Sequence, residues 1–392
     1  MSKLNDMLQA MCSHGVDFKR FGDIAQISRG ASPRPIKNFI TADENGVNWI
    51  KIGDVAVGSK YITETNEKIT QEGAKKSRMV HEGDFILSNS MSFGRPYIMK
   101  IDGCIHDGWL SISGFDKYMV PDFLYYVLIS AEIQNEMKKR ASFGGAVQNL
   151  NADIVRELLL PVPPLEIQHV IVAFLDKYTE LSSELIKELT LEYESRKKQM
   201  AFYCNSLFTD NSKAKWVELS DIADIGTGSS NTKDAVENGE YPFYVRSQEP
   251  LRNNTFEYDE TAIITAGDGV GVGKVFHFVE GKYALHQRAY RIHINTSDVL
   301  PKYCYYYMKN AFYDYITQNM YQGSVASIRR PMLNKFPIPI VSLEEQMLII
   351  DTYDKFEELG NGILDELNKE IDFREKQYSY YRDLLLTFNK AV

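Results

Sequence analysis

The stretch Gly267-Asp-Gly-Val-Gly-Val-Gly-Lys274 holds the glycines and the lysine from which a phosphate cradle could be built. Its spacing does not suit one. A Walker-type loop needs glycine six residues before the lysine, where Asp268 stands, and Ser or Thr after it, where Val275 stands. A dinucleotide-binding turn needs a helix next, whereas Val275-Phe-His-Phe278 reads as strand. The run is read as a glycine-rich hairpin. His106 and His286 hold matching places in a repeated sequence, yet their neighbours differ, Asp107-Gly108 against Gln287-Arg288. A catalytic pair would need a positioned partner in both copies, so both are read as fold-supporting. Cys12, Cys104, Cys204 and Cys304 lie about a hundred residues apart with no CxxC pair, which suits free thiols in a reducing cytosol rather than zinc or disulfides. No Asn/Asp-Pro-Pro-Tyr/Phe segment of an amino-methyltransferase and no nuclease-like carboxylate cluster stands out. No catalytic or metal-ligating residue is assigned.

Binding chemistry is better represented. Three polar loops in the first half offer Arg29 and Arg34, then Ser88, Asn89 and Arg95, then Gln148 and Asn149. The second half offers Asn231, Lys233, Arg246, Gln248, Lys274 and Arg288, then Gln322, Ser324, Arg329 and Arg330. These side-chain types hydrogen-bond phosphates and base edges, and neighbouring glycines let backbone N–H groups approach a nucleic-acid strand. All are taken as candidate DNA-binding residues.

The elements that must position these loops come in two copies. Phe21-Gly-Asp-Ile-Ala-Gln-Ile-Ser-Arg-Gly30 matches Leu219-Ser-Asp-Ile-Ala-Asp-Ile-Gly-Thr-Gly228 at an offset of 198. Pro121-Asp-Phe-Leu-Tyr-Tyr126 echoes Pro301-Lys-Tyr-Cys-Tyr-Tyr306, and Pro161-Val-Pro163 echoes Pro337-Ile-Pro339. Leu165-Glu166-x-Gln168 matches Leu343-Glu344-x-Gln346, and Arg196-x-Lys198-Gln199 matches Arg374-x-Lys376-Gln377. Order is preserved throughout, the signature of an internal repeat. Short apolar runs at 47–52, 84–87, 262–265 and 273–278 read as strands, and Pro121–Lys138 and Pro301–Gln318 each read as one helix begun by proline. Each Pro-x-Pro excludes helix and central strand and marks the way into a proline-free segment, 166–208 and 344–387. In these, Ile171, Phe174, Tyr178, Leu181, Leu185 and Leu189, and Ile349, Tyr353, Phe356, Ile363, Leu367 and Ile371, recur in steps of three and four. Such stripes predict two long helices that bury each other. The expected divisions are 1–160, 161–211, 212–336 and 337–392: globe, helix, globe, helix.

Charge follows the same divisions. Of 392 residues with net charge −9, the stretches 16–158 and 212–336 are each balanced, at 18 basic to 18 acidic and 14 to 14. The acidic excess lies in the helical segments, at 5 basic to 8 acidic in 159–211 and 6 to 12 in 337–392. Either globe could thus gather a basic face. No apolar run approaches the roughly 20 residues of a membrane span, and residues 1–18 hold no signal core, so a cytoplasmic, membrane-free chain is expected.

With Leu219-Ser-Asp-Ile-Ala, Pro161-Val-Pro-Pro-Leu-Glu-Ile-Gln168, Pro337-Ile-Pro-Ile-Val-Ser-Leu-Glu-Glu-Gln346, Arg374-Glu-Lys-Gln-Tyr-Ser-Tyr-Tyr381, His286-Gln-Arg-Ala-Tyr-Arg291 and Cys104-Ile-His-Asp-Gly-Trp109, nearly the whole chain resembles the DNA-specificity (S) subunits of type I restriction–modification systems. The resemblance implies a mixed α/β (α+β) fold: two target-recognition domains joined by two long antiparallel coiled-coil helices with pseudo-two-fold symmetry. It implies a non-catalytic subunit that reads a bipartite site on double-stranded DNA. Two methyltransferase subunits and two restriction subunits are the implied partners. S-adenosylmethionine, and ATP with Mg for restriction, would sit on those partners, with no cofactor in this chain. The first-copy tail Arg196-Lys-Lys-Gln-Met-Ala-Phe-Tyr203 lacks the second copy's fuller tyrosine set, so equal docking of both partners does not follow. From other classes, a self-contained methyltransferase or nuclease and a DNA-independent scaffold stand as alternatives.

Overall fold

The computed structural model describes residues 2–55, 58–89, 93–141, 149–209, 214–319 and 327–391. Gln148, Gln322 and Ser324 lie outside them. Two compact units result, Met1–Glu188 with Glu370–Val392, and Leu189–Lys369. Each unit therefore owns parts of both long helices, a division that cuts across the four segments expected from the sequence.

In the first unit, strand Asp17–Arg20 pairs antiparallel with Leu159–Val162, placing Phe18 opposite Pro161. Two five-stranded sheets follow. One runs in the order Ile40–Thr41, Glu67–Ile69, Val47–Ile50, Gly103–Ile105, Arg78–Val80, and the other Gln26–Arg29, Trp109–Ser113, Phe85–Ser88, Pro96–Met99, Tyr61–Ile62. In the second unit, Lys215–Glu218 pairs with Pro337–Ile340 in the same way. A single six-stranded sheet runs Ala223–Thr227, Ala289–Ile294, Tyr258–Ala266, Phe276–Leu285, Tyr241–Tyr244, Leu251–Asn253. Its ten-residue strand Phe276–Leu285 pairs with Tyr258–Ala266 on one side and Tyr241–Tyr244 on the other. The first copy breaks that strand into Pro96–Met99 and Gly103–Ile105, and one sheet becomes two. Pro161, and both Pro337 and Pro339, sit in two-stranded ladders, where a missing N–H costs least.

The helix begun at Pro301 runs unbroken to Asn319. Its counterpart is divided, Pro121–Ile129 and Ala131–Ala141, where the sequence predicts one helix. Ser130 takes extended dihedrals, its hydroxyl donates to the Val127 carbonyl at 2.7 Å, and the Gln134 amide donates to the carbonyl of Leu128 at 2.7 Å. Asn310, at the equivalent place, donates to Tyr306 one turn back at 2.6 Å and keeps the helix going.

The long helices are Leu165–Ser206 and Leu343–Leu385, 42 and 43 residues. The second starts at a capping box in which Ser342 and Glu345 satisfy each other's backbone N–H at 3.2 and 3.1 Å. One turn into each helix stands a fully buried glutamine. Gln168 donates to the carbonyls of Tyr118 and Pro163 and accepts from Val120 N, each at 2.8 Å. Gln346 repeats the set with Asp298, Val341 and Leu300 N at 2.8, 2.9 and 2.8 Å. The repeated Leu-Glu-x-Gln is thus a clamp that fastens each long helix to the residue before its proline-initiated helix. A second tie repeats as well: the Tyr126 hydroxyl donates to Asp176 at 2.6 Å, and the Tyr306 hydroxyl to Asp354.

Within the first unit the helices meet where Tyr178 stacks on Tyr378, 5.5 Å between ring centres, and Thr179 bonds the Tyr378 hydroxyl at 2.8 Å. Within the second, Tyr203 stacks on Phe356, Phe208 touches Tyr353, and Met200 lies against Gly360, so numbers rise on one helix as they fall on the other. The pairing is antiparallel, as expected. The stripe proposed for it needs correction. Phe174, Leu181, Leu185 and Ile363 are exposed, while Ile167, Ile171, Leu175 and Tyr353 are buried. An apolar step of three or four fits two adjacent faces of a helix, and spacing alone does not choose between them.

Candidate nucleic-acid interface

Each unit leads into a central strand through a tight turn headed by histidine. His106 Nδ1 accepts from Gly108 N at 2.7 Å, and His286 Nδ1 from Arg288 N at 3.0 Å. Their carbonyls accept from Trp109 N and Ala289 N at 3.2 and 2.9 Å. Burial lowers the pKa of both rings, with Arg246 and Arg288 adding to the effect at His286. The neutral, accepting ring is the form such a turn needs. Behind each turn stands a glycine: a Cβ on Gly30 would fall 2.0 Å from the His106 oxygen, and one on Gly228 would fall 1.8 Å from the Leu285 oxygen. Close backbone approach is the reason for these two glycines.

Guanidinium groups gather at the turns. In the first unit, Arg29 Nε and Asn89 Nδ2 donate to the Asp107 carbonyl at 3.1 and 3.0 Å. Arg34, with its side chain 84% exposed, lies 3.7 Å from the Asp107 carboxylate. Arg78 donates to the Arg29 carbonyl at 3.3 Å. The Ser32 hydroxyl, donating at 2.7 Å, holds the Asp107 carboxyl below the usual range. In the second unit, Asp268 accepts from Arg246 Nη1 at 2.5 Å and Arg288 Nη1 at 3.2 Å. Burial would raise this carboxyl, but the two arginines bring it below its ordinary value. Each cluster therefore keeps an excess of positive charge at an exposed turn, as a polyanion site requires.

The loop after Phe85–Ser88 and the glycine-rich hairpin after Tyr258–Ala266 hold equivalent places. Asn89 N and Gly267 N donate to the carbonyls of Gly108 and Arg288, and Leu150 N and Ile328 N donate to the carbonyls of Asn89 and Gly267, the last two both at 2.8 Å. Both loops end on a glycine with positive φ, Gly94 at 69° and Gly273 at 70°, followed by Arg95 and Lys274. Arg95 is half-buried and lines a cleft of about 530 Å3 with Phe93, Tyr125 and Gln134. Lys274 is exposed, 5.6 Å from the centre of the Tyr313 ring.

The remaining candidates fall into two groups. Asn149, Lys233, Gln248 and Arg329 are exposed; Asn231 is half-buried and heads the turn Thr232–Asp234, with its N–H on the Asp234 carboxylate at 2.7 Å. Ser88, Asn89 and Arg330 also serve the framework. Ser88 and Asn89 are buried, and Ser88 accepts from Arg95 N at 3.3 Å. Arg330 donates to the Ile225 carbonyl, as Arg156 does to Ile27 in the other copy. The sequence reading missed Asp107 and Asp268, whose charge opposes a polyanion until their arginine partners are seen, and Arg78, which has no repeat mate. Arg291 adds a buried ion-pair network, with Asp224 at 2.8 Å and Glu260 at 2.5 Å, where the first copy has Ser111. Among the described residues no three His, Cys, Asp or Glu side chains gather to hold a metal, and no helix is long and apolar enough to cross a membrane.

Two stretches, 14–194 and 211–372, match the family model of the type I restriction modification DNA specificity domain. The chain is 32% identical over 253 residues to the specificity subunit of the type I restriction enzyme EcoR124I/EcoR124II of Escherichia coli, covering 59% of this chain and 61% of that one. The match thus spans less than two thirds of that relative. In structure it is similar to a chain solved for the assembly and conformational transition of a type I R-M system, at TM-score 0.78 and 16% identity, over 95% of this chain and 97% of that one. The HsdS subunit from Thermoanaerobacter tengcongensis follows at TM-score 0.57 and 17% identity, over 95% of each chain. At such identities these two likenesses speak for the fold.

Proposed function

This chain belongs to the type I restriction–modification DNA specificity family, and from that footing we propose that it is a non-catalytic reader of double-stranded DNA. Each repeat reads one part of a bipartite site, and the chain directs adenine methylation by partner subunits. The observation that carries this reading is the histidine-headed turn present in both units, each surrounded by more guanidinium than carboxylate groups. The two long helices offer two methyltransferase subunits a place to dock, and two restriction subunits complete the assembly when cleavage is required. S-adenosylmethionine belongs to the methyltransferase and ATP with Mg to the restriction subunit; this chain takes no cofactor of its own.

The test is reconstitution with a methyltransferase partner and mapping of modified adenines on a random-sequence library. The expected result is one split motif, both parts lost when this chain is left out. A lone chain that binds S-adenosylmethionine and methylates DNA unaided would overturn the reading in favour of an enzyme. A complex that forms with protein partners but shifts no duplex at low salt would make it a scaffold.

A further inference from the structure

We infer that Arg288, steadied by Asp268, reads a guanine in the part of the DNA site contacted by the second unit; this rests on the DNA-reading function proposed above and adds the residue and its base. Asp268 takes one nitrogen from each arginine, Nη1 of Arg246 on Oδ1 and Nη1 of Arg288 on Oδ2. Among the described residues nothing else bonds the Arg288 guanidinium, so Nε and Nη2 remain as a planar two-pronged donor. That fork matches the paired acceptors O6 and N7 on the major-groove edge of guanine. The two arginines are not alike. Arg246 is 40% exposed in its side chain and Arg288 59%, so Arg288 is the one presented.

The surroundings favour a base edge over a phosphate. Asp268 fixes the direction of the Arg288 fork, and a fixed planar fork matches the paired acceptors of a base edge, where a phosphate needs only positive charge. Beside Arg288 opens a cleft of about 230 Å3, lined by Thr227, Gln287, Tyr290 and Ser327, each with a hydrogen-bonding group. The position is also braced. The backbone N–H of Arg288 is fixed on the His286 ring at 3.0 Å, and the Gly267 N–H donates to the Arg288 carbonyl at 2.9 Å. A fork anchored at backbone and head loses little freedom when it meets a base. Asp268 acts through Arg288 and is a positioning residue.

The experiment uses the full chain in complex with its methyltransferase partner, with modified sites read on the random library and binding measured across a salt series. Arg288→Gln should lower the preference for G·C at one position of one half of the motif by roughly 10- to 100-fold. The other half, the remaining positions and the salt slope should stay as they are. Asp268→Asn should relax the same position by a smaller factor, and Asp268→Glu should restore most of it, which a merely folded loop would not do. Uniform weakening over all sequences with a shallower salt slope would make Arg288 a phosphate contact and overturn the inference. So would an unchanged motif. If the unaltered complex shows no split motif, the DNA-reading function falls, and this inference with it; an intact motif with an unmoved position sinks the inference alone.

Discussion

The two units share what holds a turn in place and differ in what the turn presents. His106 and His286, Gln168 and Gln346, and Arg156 and Arg330 make the same bonds in both copies, and Gly30 and Gly228 each lie close against a backbone carbonyl. The charged tips follow no such rule. In the first unit the carboxylate, Asp107, stands on the histidine turn itself and offers its carbonyl to Arg29 and Asn89. In the second, Gln287 takes that place and the carboxylate is Asp268 on the neighbouring loop, gripping two arginines. The supporting groups act on the backbone, which both copies share. The presented groups act on whatever each copy binds, and two halves of a split site need not be alike.

This comparison can be broken first at the clamps. Gln168→Leu or Gln346→Leu would leave a buried N–H and two carbonyls without partners, a cost of about 3 kcal/mol. Hydrogen exchange should show the loss confined to the unit that carries the change; a loss below about 1 kcal/mol would mean that water or relaxation replaces the amide. Next come the close-approach glycines. Gly30→Ala and Gly228→Ala should each destabilise their own unit by about 2–3 kcal/mol, because the new methyl meets a carbonyl oxygen. If either is neutral in thermal unfolding, the turns are not built alike.

The third test separates neighbours in sequence. Arg330→Ala should cost the second unit about 1–2 kcal/mol, as Arg156→Ala should cost the first, since each strand carbonyl loses its charged donor. Arg329→Ala, whose guanidinium bonds no backbone carbonyl among the described residues, should leave stability within about 0.5 kcal/mol, and equal effects of both changes would erase the distinction. The smallest effect is in pH. Both histidines titrate below their ordinary value in the folded chain, so below about pH 6.5 the unfolded chain takes up protons that the folded one refuses. Their contribution to stability is therefore full at neutral pH and declines as pH falls, by at most about 1.4 kcal/mol per pH unit for each ring, until the folded rings also protonate. His286→Gln should remove that share of the slope from the second unit and leave the first unchanged; an unchanged slope in the second unit would show that its carboxylates set it.

Much of the framework was legible in sequence because its signals are local. Prolines at 121 and 301 start helices, Pro161, Pro337 and Pro339 end up in short ladders, and the proline-free segments become the two long helices. The repeat showed a glutamine at the same place in both copies, but not the buried clamp it makes. What stayed hidden depends on partners far along the chain. Nothing in Ser88-Asn-Ser-Met-Ser-Phe-Gly-Arg95 announces that it holds the place of the glycine-rich hairpin, because the two share only a closing glycine and a basic residue. Nor does the spacing of apolar residues tell which of two adjacent helix faces, Phe174 or Leu175, turns inward.

By itself the sequence determined that there are two copies, where the proline-started helices and the two long helices begin, and which segments are acidic. Periodicity, proline and glycine act over a few residues, and a repeat can be read without knowing any contact. Only the tertiary structure decided which arginines are presented and which are struts. Arg29 meets Asp107 from 78 residues away, Arg246 meets Asp268 from 22, and Arg330 reaches Ile225 across 105. Charges so far apart in the chain have no local signature, and their roles arise only when the sheets bring the turns together.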